Sequence, residues 1–233
     1  MGFDWGWATS EKWHHLENEP THAGTAEIKG YAVLKSGVLD TAVDALARSF
    51  DDDPLFRWML PDAPARYAWI AWLHGVSVDH CLARGAVFTL GAGPDRGAIT
   101  VLPPAAPLPT IATILRGLRS PPRHLPPARL IHTGLRIEAR IDAARPKAAV
   151  VYVHVLGVHP AHKGKGLGGA LLGEALSMAA SAKVPLYLET SNPVNVGFYG
   201  RYGLTVRDEI RVGDAPPLWT LQTDGPPAPT RSP

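Results

Sequence analysis

The stretch AAVVYVHVLGVHPAHKGKGLGGALLGEALSMAASA, residues 148–182, decides how this chain folds. The apolar run 148–158 predicts a strand, and the Ala- and Leu-rich run 167–182 predicts a helix. Between them, four glycines crowd into residues 164–169. A plain turn needs one or two glycines, whereas a glycine-rich loop before a helix lets backbone N–H groups converge on an anion. The stretch therefore predicts a phosphate-binding loop, to which two neighbouring lysines add positive charge.

The spacing of the glycines fits more than one phosphate ligand. Gly164, Gly166 and Gly169 satisfy the G-x-G-x-x-G fingerprint of dinucleotide-binding proteins, and Glu189 follows twenty residues after the last of them. However, residues 159–163 separate the strand from the first glycine, and too few strands follow for a doubly wound sheet. A dinucleotide-binding oxidoreductase therefore stays as an alternative, and so does a loop that only reverses the chain. No Gly-Lys-Ser/Thr sequence occurs, which excludes the nucleoside-triphosphate loop.

Alternation along the quoted strand predicts which side chains share a face. Side chains of a strand point alternately to opposite faces of the sheet. The residues expected on one face are Val151, Val153 and Val155, and those on the other are Tyr152, His154 and Leu156.

Helix and strand patterns continue outward from this unit in both directions. Together they predict one mixed α+β domain over residues 25–223, between an N-terminal extension, residues 1–24, and a disordered tail, residues 224–233. The other predicted elements are strands 27–33, 86–92, 97–103, 185–190, 204–212 and 217–223, and helices 39–50, 56–83, 110–118, 124–144 and 191–203. We expect Pro61 and Pro64 to interrupt the helical region 56–83.

The composition excludes several classes of protein. The 23 Lys and Arg residues nearly balance the 21 Asp and Glu residues without a run of like charge, so we expect no nucleic-acid partner. No apolar run reaches the roughly 18–20 residues that a membrane span requires, so we expect no membrane association. A single cysteine, Cys81, excludes an internal disulfide and fits a reducing compartment, so we expect a cytoplasmic protein. The histidines lack the spacing of metal ligands, so we expect no metal.

Four segments carry a resemblance to a known family. KGKGLG, residues 163–168, matches the Gln/Arg-x-x-Gly-x-Gly/Ala loop that holds the pyrophosphate of coenzyme A, with Lys163 in place of Gln or Arg. Together with LETSNPVNVGFYGRYGLTV, residues 188–206, and PLWTLQ, residues 217–222, it makes the chain resemble the GNAT-type N-acetyltransferases. RSFDDDPLFRWMLPD, residues 48–62, is similar to the first-helix region of puromycin N-acetyltransferase-like proteins within that superfamily.

The resemblance implies a fold, a cofactor and a reaction. The fold is a mostly antiparallel central sheet flanked by helices, with a strand–pyrophosphate loop–helix unit. The cofactor is acetyl-CoA, and the acceptor is a primary amine that attacks the thioester directly in a ternary complex. We expect a small-molecule amine that is antibiotic-like or an aminonucleoside. A protein lysine or N-terminus is the alternative acceptor, and a non-catalytic acyl-CoA-binding regulatory module is the alternative function. The protein is expected to be a monomer or a homodimer.

The resemblance also assigns residues to the site. Tyr199 matches the tyrosine that protonates the leaving thiolate, and Glu189 and His154 are candidate bases. The alternative for Tyr199 is a packed aromatic residue, and the alternative for His154 is a satisfied residue of the core. The alternative for Glu189 is a structural partner of a backbone group or an arginine. The expected acceptor contacts are Asp52, Asp53, Phe56 and Trp58. The expected cofactor contacts are Leu156, Gly157, Val158, Lys163, Gly164, Lys165, Gly166, Leu167, Gly168, Gly169, Asn195 and Tyr199. Asn195 and Asn192 are both candidates for capping the helix that carries Tyr199.

Overall fold

The computed structural model describes residues 39–89, 96–108 and 128–228. The predicted strand 27–33, the predicted helix 110–118 and the N-terminal extension lie outside these ranges. The helices are α1 (Leu39–Ser49), α2 (Pro54–Met59), α3 (Ala63–Arg84), α4 (Ala128–Ala144), α5 (Leu167–Ala182) and α6 (Pro193–Gly200). The strands are β1 (Ala86–Thr89), β2 (Gly97–Leu102), β3 (Val151–Val158), β4 (Leu186–Thr190), β5 (Leu204–Ile210) and β6 (Leu218–Thr223).

The helical region 56–83 is divided into α2 and α3, and of its two prolines only Pro61 lies in the break between them. Asp53 accepts hydrogen bonds from the first turn of α2, and Asp62 accepts one from Ala65 N in the first turn of α3. Each Asp thereby satisfies N–H groups that the helix leaves unpaired. Pro64 falls in the first turn of α3, where proline is tolerated, so it starts this helix instead of interrupting it.

The six strands form one sheet in the order β1-β2-β3-β4-β6-β5. Among the described strands, only β3 and β4 are parallel, and every other neighbouring pair is antiparallel. This confirms the predicted α+β fold with a mostly antiparallel sheet. It is not the doubly wound parallel sheet that the dinucleotide alternative requires.

The parallel pair opens soon after it begins. Val151 pairs with Leu186 and Tyr152 pairs with Tyr187, and the register between β3 and β4 ends there. Both strands continue, β3 to Val158 and β4 to Thr190, so they diverge toward their carboxyl ends. We call this gap the β3–β4 opening. In the described part of the chain, no strand pairs with β3 on that side beyond Tyr152.

Helices cover the two faces of the sheet and form two cores. On one face, α5 packs through Leu171, Leu172 and neighbouring residues against side chains of β2, β3 and β4. On the other face, α1 and α3 pack against Tyr152 and Tyr187. We call the first the α5 face and the second the α1–α3 face. A smaller cluster joins α4 to β5 and β6 on the α1–α3 face.

A β-bulge in β3 changes the predicted alternation. Thr100 pairs with Val155 and Val101 pairs with Val153, so His154 is an extra residue without a partner opposite it. Beyond the bulge the faces exchange. Val155 therefore packs with Tyr152 on the α1–α3 face, and Leu156 packs against the α5 core. The expectation that Val155 shares a face with Val151 and Val153 is wrong for this reason.

The described residues contain neither a membrane-spanning helix nor a cluster of metal ligands. No helix in the described ranges is long and apolar enough to cross a membrane. Among the same residues, no group of three or more His, Cys, Asp or Glu side chains is arranged to hold a metal ion.

Candidate active site

The glycine loop joins the end of β3 to the start of α5 through a short 3-10 turn, Pro160–His162. Gly164 and Gly166 both have φ of +77°, in the left-handed region that side chains rarely adopt. A Cβ added to either glycine would meet no atom within 4 Å. Gly166 is the N-cap of α5 and makes no side-chain hydrogen bond, so backbone N–H groups alone form the amino end of this helix. Such an end attracts anions through its N–H groups and its dipole.

The last two glycines of the loop have a different surrounding. A Cβ at Gly169 would overlap the Tyr202 hydroxyl, and a Cβ at Gly168 would lie 3.5 Å from the Phe198 ring. These glycines therefore let α5 approach α6 closely. Their predicted cofactor contacts would have to come from the backbone.

The two lysines of the loop are exposed. Lys165 Nζ donates a hydrogen bond to Ala161 O at 3.2 Å and lies 3.4 Å from His162 Nδ1. Lys163 ends the 3-10 turn, and its N–H bonds Pro160 O. Both cations therefore lie beside the open side of the loop, where they favour an anion by a long-range, salt-screened attraction.

Helix α6 places Tyr199 in the core on the α5 face of the sheet. Asn192 caps α6, because its side chain accepts a hydrogen bond from Val194 N at 3.0 Å. Asn195 is therefore not the cap, and its side-chain amide donates to Thr190 Oγ1 at 3.3 Å. Tyr199 is only 5% exposed and packs against Phe198. Burial raises the pKa of Tyr199 above its usual value, so the phenol keeps its proton at neutral pH.

The last residues of β3 border the β3–β4 opening. Leu156 and Val158 are half-buried and pack against the α5 core. A Cβ added to Gly157 would project to the α1–α3 face and overlap Ser49 Oγ at the end of α1. Glycine at this position therefore lets α1 lie directly against β3. The backbone groups of this segment that face β4 have no partner strand among the described residues.

Glu189 lies on β4 two residues beyond the last β3–β4 pair, on the α1–α3 face. Its side chain is 9% exposed, and its Oε1 lies 3.5 Å from Arg145 Nε. Burial raises the pKa of Glu189, whereas the charge of Arg145 and the hydroxyls of Tyr152 and Tyr187 lower it. Desolvation is the largest of these effects, so the carboxylate is a stronger base than an exposed glutamate.

His154 lies across the opening from β4, at the bulge. Its Nε2 lies 3.2 Å from Ser77 Oγ on α3, and its Nδ1 lies 3.4 Å from the Tyr152 hydroxyl. Burial, together with the charges of Arg145 and His80, lowers the pKa of His154 to about 4. The imidazole is therefore neutral at pH 7 but a weak base.

The aspartates after α1 already have partners within the protein. Both carboxylate oxygens of Asp53 accept from Ser191 Oγ, at 2.8 and 2.6 Å, and Oδ1 also accepts from Leu55 N and Phe56 N. Asp53 is buried and so joins α2 to the end of β4. Asp52 is exposed and lies 3.6 Å from Arg57.

The two aromatic residues predicted for the acceptor side point to different surroundings. Phe56 makes edge contacts with Phe50 at 6.0 Å and with His74 at 6.1 Å between ring centroids. Trp58 packs against the cluster that joins α4 to β5 and β6. Both side chains are half-buried.

Cys81 is excluded as a nucleophile. It is fully buried within α3, and burial raises the pKa of its thiol to about 12. At neutral pH the thiol is therefore protonated and inaccessible.

Sequence reasoning missed Arg145 and Tyr152, which contact Glu189 and His154 in the structure. Tyr152 carried a signal, because alternation puts it on the same face as His154. Arg145 carried none, because it lies in the turn after α4 and its meeting with β4 depends on the tertiary fold.

Residues 134–204 match the acetyltransferase (GNAT) family. Solved structures of acetyltransferases share the fold of the chain. A histone acetyltransferase HPA2 and related acetyltransferase of Corynebacterium glutamicum superposes with a TM-score of 0.61 at 19% identity, covering 86% of this chain and 97% of its own. The arylalkylamine N-acetyltransferase 2 of Aedes aegypti superposes with a TM-score of 0.55 at 12% identity, covering 82% and 96%.

A third similar structure contains the cofactor. The PaiA N-acetyltransferase of Thermoplasma acidophilum, in complex with coenzyme A, superposes with a TM-score of 0.50 at 14% identity. The superposition covers 83% of this chain and 96% of that one.

Proposed function

We propose that this chain, a GNAT-type acetyltransferase that uses acetyl-CoA, transfers the acetyl group to a small-molecule primary amine by direct attack in a ternary complex. The observation that carries the proposal is the β3–β4 opening. The glycine loop and Tyr199 lie on its α5 side, and Glu189 and His154 lie on its α1–α3 side. Acetyl-CoA and the amine would therefore enter the opening from opposite faces of the sheet.

The glycine loop suits the pyrophosphate of coenzyme A. Gly164 and Gly166 leave open space where side chains would otherwise project, and the amino end of α5 follows directly. The pantetheine arm would then run along β3, where the backbone groups of Leu156, Gly157 and Val158 on the β4 side have no partner among the described strands. One of these N–H groups would donate to the thioester oxygen and stabilise the oxyanion. Asn195, beside Thr190, is proposed to contact the same arm.

The chemistry requires two proton transfers. The amine nitrogen bonds to the acetyl carbon while the C–S bond breaks, so one proton leaves the amine and one reaches the departing thiolate. We assign the first to Glu189, because burial makes it the stronger of the two candidate bases. His154, with its pKa lowered to about 4, is better suited to orient the amine. Tyr199, which keeps its proton at neutral pH, is assigned to the thiolate.

Enclosure of the acceptor side favours a small molecule over a protein. Helices α1, α3 and α4 cover this face, and the Glu189 side chain is only 9% exposed. The arylalkylamine N-acetyltransferase among the similar structures supports an aromatic amine as one class to test. An aminonucleoside related to puromycin is a second class, from the resemblance of residues 48–62. Phe56, Trp58 and Asp52 are proposed contacts of the acceptor, whereas Asp53 would act through the position of α2.

An amine screen tests the proposal. The protein is incubated with acetyl-CoA and arylalkylamines, polyamines, aminonucleosides or a lysine peptide, and the acetylated products are identified by mass spectrometry. We expect at least one small amine to be acetylated faster than the peptide. Double-reciprocal plots of initial velocity, with both substrates varied, should give intersecting lines. Faster acetylation of the peptide would favour the protein acetyltransferase. Tight binding of coenzyme A without turnover of any amine would favour the regulatory module.

We also infer a cytoplasmic location and a monomeric or homodimeric state. The first rests on the single cysteine, which the structure buries away from any oxidant. Fractionation of the host cell tests the location, and light scattering on the purified chain tests the mass of the assembly.

A further inference from the structure

An arginine outside the sequence segments that carry the family resemblance lies at the proposed acceptor side. Arg145 follows α4, where its backbone N–H bonds Ile141 O at 3.0 Å. Its side chain is only 17% exposed, and its guanidinium carbon lies 5.2 Å from the centroid of the Tyr152 ring. Its Nε lies 3.5 Å from Glu189 Oε1, and its Nη1 pairs with Asp142. The side chain is therefore held from three directions, and one of its partners is the proposed base.

Charged and titratable groups approach Glu189 from several elements. Arg145 and Glu138 come from α4 and the turn after it, Tyr152 from β3, and Tyr187 from β4 itself. Thr220 of β6 lies opposite Glu189 in the strand register. His154 of β3 interacts with Arg145 and Tyr152, which are themselves neighbours of Glu189. Of these described groups, only Arg145 carries a positive charge at neutral pH.

Hydrogen bonds satisfy the Glu189 carboxylate only in part. Among the described residues, Glu189 Oε1 is buried and makes no hydrogen bond of normal geometry, and the hydroxyls of Tyr152 and Tyr187 lower the pKa of Glu189 less than the charge of Arg145 does. A buried carboxylate with an unsatisfied oxygen stays ionised more readily when a nearby cation compensates for the lost water. Arg145 supplies that cation, and its guanidinium does not lose its proton in proteins.

We propose that Arg145 is a positioning residue of the acetyl-transfer site, which keeps the Glu189 carboxylate ionised and fixed beside the β3–β4 opening. The proposal rests on the proposed function, in which Glu189 accepts the amine proton. Arg145 acts through Glu189 and need not touch either substrate. Without it, the buried carboxylate takes up a proton at higher pH and is no longer available as a base.

The pH dependence of kcat/KM for the amine tests this role. In Arg145→Gln we expect the acid limb of the profile to move to higher pH by about one unit or more. In Arg145→Lys, which keeps the charge, the limb should return toward that of the wild type. The KM for acetyl-CoA should not change in either variant. Arg207→Gln, which removes an exposed arginine paired with Asp224, is the matched control and should leave the profile unmoved. A lower rate with an unmoved limb in Arg145→Gln would overturn the proposal.

A stability cycle tests the same contact without any activity. Because the folded state raises the pKa of Glu189, ionisation of Glu189 costs stability, and this cost appears as pH rises above the usual glutamate range. Loss of Arg145 increases the cost, so the Tm deficit of Arg145→Gln should be larger at pH 8 than at pH 5. In a Glu189→Gln background this pH dependence should disappear. A deficit that is equal at both pH values would overturn the proposal.

The two tests separate the failure of this inference from the failure of the proposed function. If the wild type acetylates no amine but the stability cycle behaves as expected, the proposed function is wrong and the Arg145–Glu189 coupling stands. If amines are acetylated but neither the limb nor the cycle responds to Arg145, the inference alone is wrong.

Discussion

Two glycine-to-alanine substitutions near the same helix are expected to have opposite effects. Gly166 has φ of +77° at the start of α5, whereas Gly173 lies inside α5 and has no positive φ. In both cases an added Cβ meets no atom within 4 Å, so neither substitution causes a clash. The difference in stability therefore comes from the backbone alone.

The magnitudes follow from the conformations. Alanine in the left-handed region costs about 1–2 kcal/mol, so Gly166→Ala should reduce the free energy of unfolding by that amount. Alanine inside a helix is favoured over glycine by about 0.5–1 kcal/mol, so Gly173→Ala should increase it. Gly166→Ala also places a methyl group in the open space of the loop. We therefore expect its affinity for coenzyme A to fall by about tenfold or more, which is a loss of about 1.4 kcal/mol.

Urea unfolding and titration calorimetry with coenzyme A measure the two effects separately. Calorimetry is performed where both variants are fully folded, so that a change in affinity is not a change in the folded fraction. Gly173→Ala is the control for the loss of a glycine and should bind coenzyme A like the wild type. If Gly166→Ala binds coenzyme A with unchanged affinity, the loop does not hold the pyrophosphate as argued.

Three further substitutions test other parts of the account. Tyr199→Phe should reduce kcat by about 10²-fold or more, while the Kd for coenzyme A, measured by calorimetry, changes little. An unchanged kcat would show that Tyr199 is not the acid. His74 is buried and has no hydrogen-bond partner among the described residues, and burial, with a smaller effect of His154, lowers its pKa to about 3. Folding therefore loses stability as pH falls below about 6.5, and between pH 7.5 and pH 5 the wild type should lose about 2 kcal/mol more than His74→Phe in urea unfolding. If the wild type and His74→Phe lose the same stability, the folded protein does not lower the pKa of His74. Gly169→Ala should lower Tm because its Cβ overlaps the Tyr202 hydroxyl. The double variant Gly169→Ala/Tyr202→Phe removes that hydroxyl and should recover most of the lost Tm. If Tm does not recover, another contact causes the loss.

The sequence predicted those parts of the fold that local patterns determine. Helix α5 begins and ends where the pattern places it, Leu167 to Ala182, because an apolar run is bounded by glycines and by Lys183 in the left-handed conformation. The strands β3 and β4 were recognisable because both are apolar and buried. The glycine loop was recognisable because few other sequences allow two left-handed residues so close together.

Local patterns could not predict features that arise from tertiary contacts. The bulge at His154 exchanges the faces of β3, and it depends on the register with β2 rather than on the residues of β3 alone. Asp53 fits an exposed substrate contact in the sequence, yet the fold brings Ser191 to its carboxylate and buries it. Arg145 meets Glu189, which lies over 40 residues later in the chain, only because α4 packs against β5 and β6, and β6 is the neighbour of β4.

The most direct test of the central claim is a stoichiometric measurement of acetyl transfer. The purified protein is mixed with acetyl-CoA and the best amine from the screen, and free thiol and acetylated amine are quantified over time. We expect one acetylated amine for each thiol released, a rate that requires both substrates, and a strongly reduced rate in Tyr199→Phe. Release of thiol without acetylated amine, or binding of coenzyme A without any release, would contradict it.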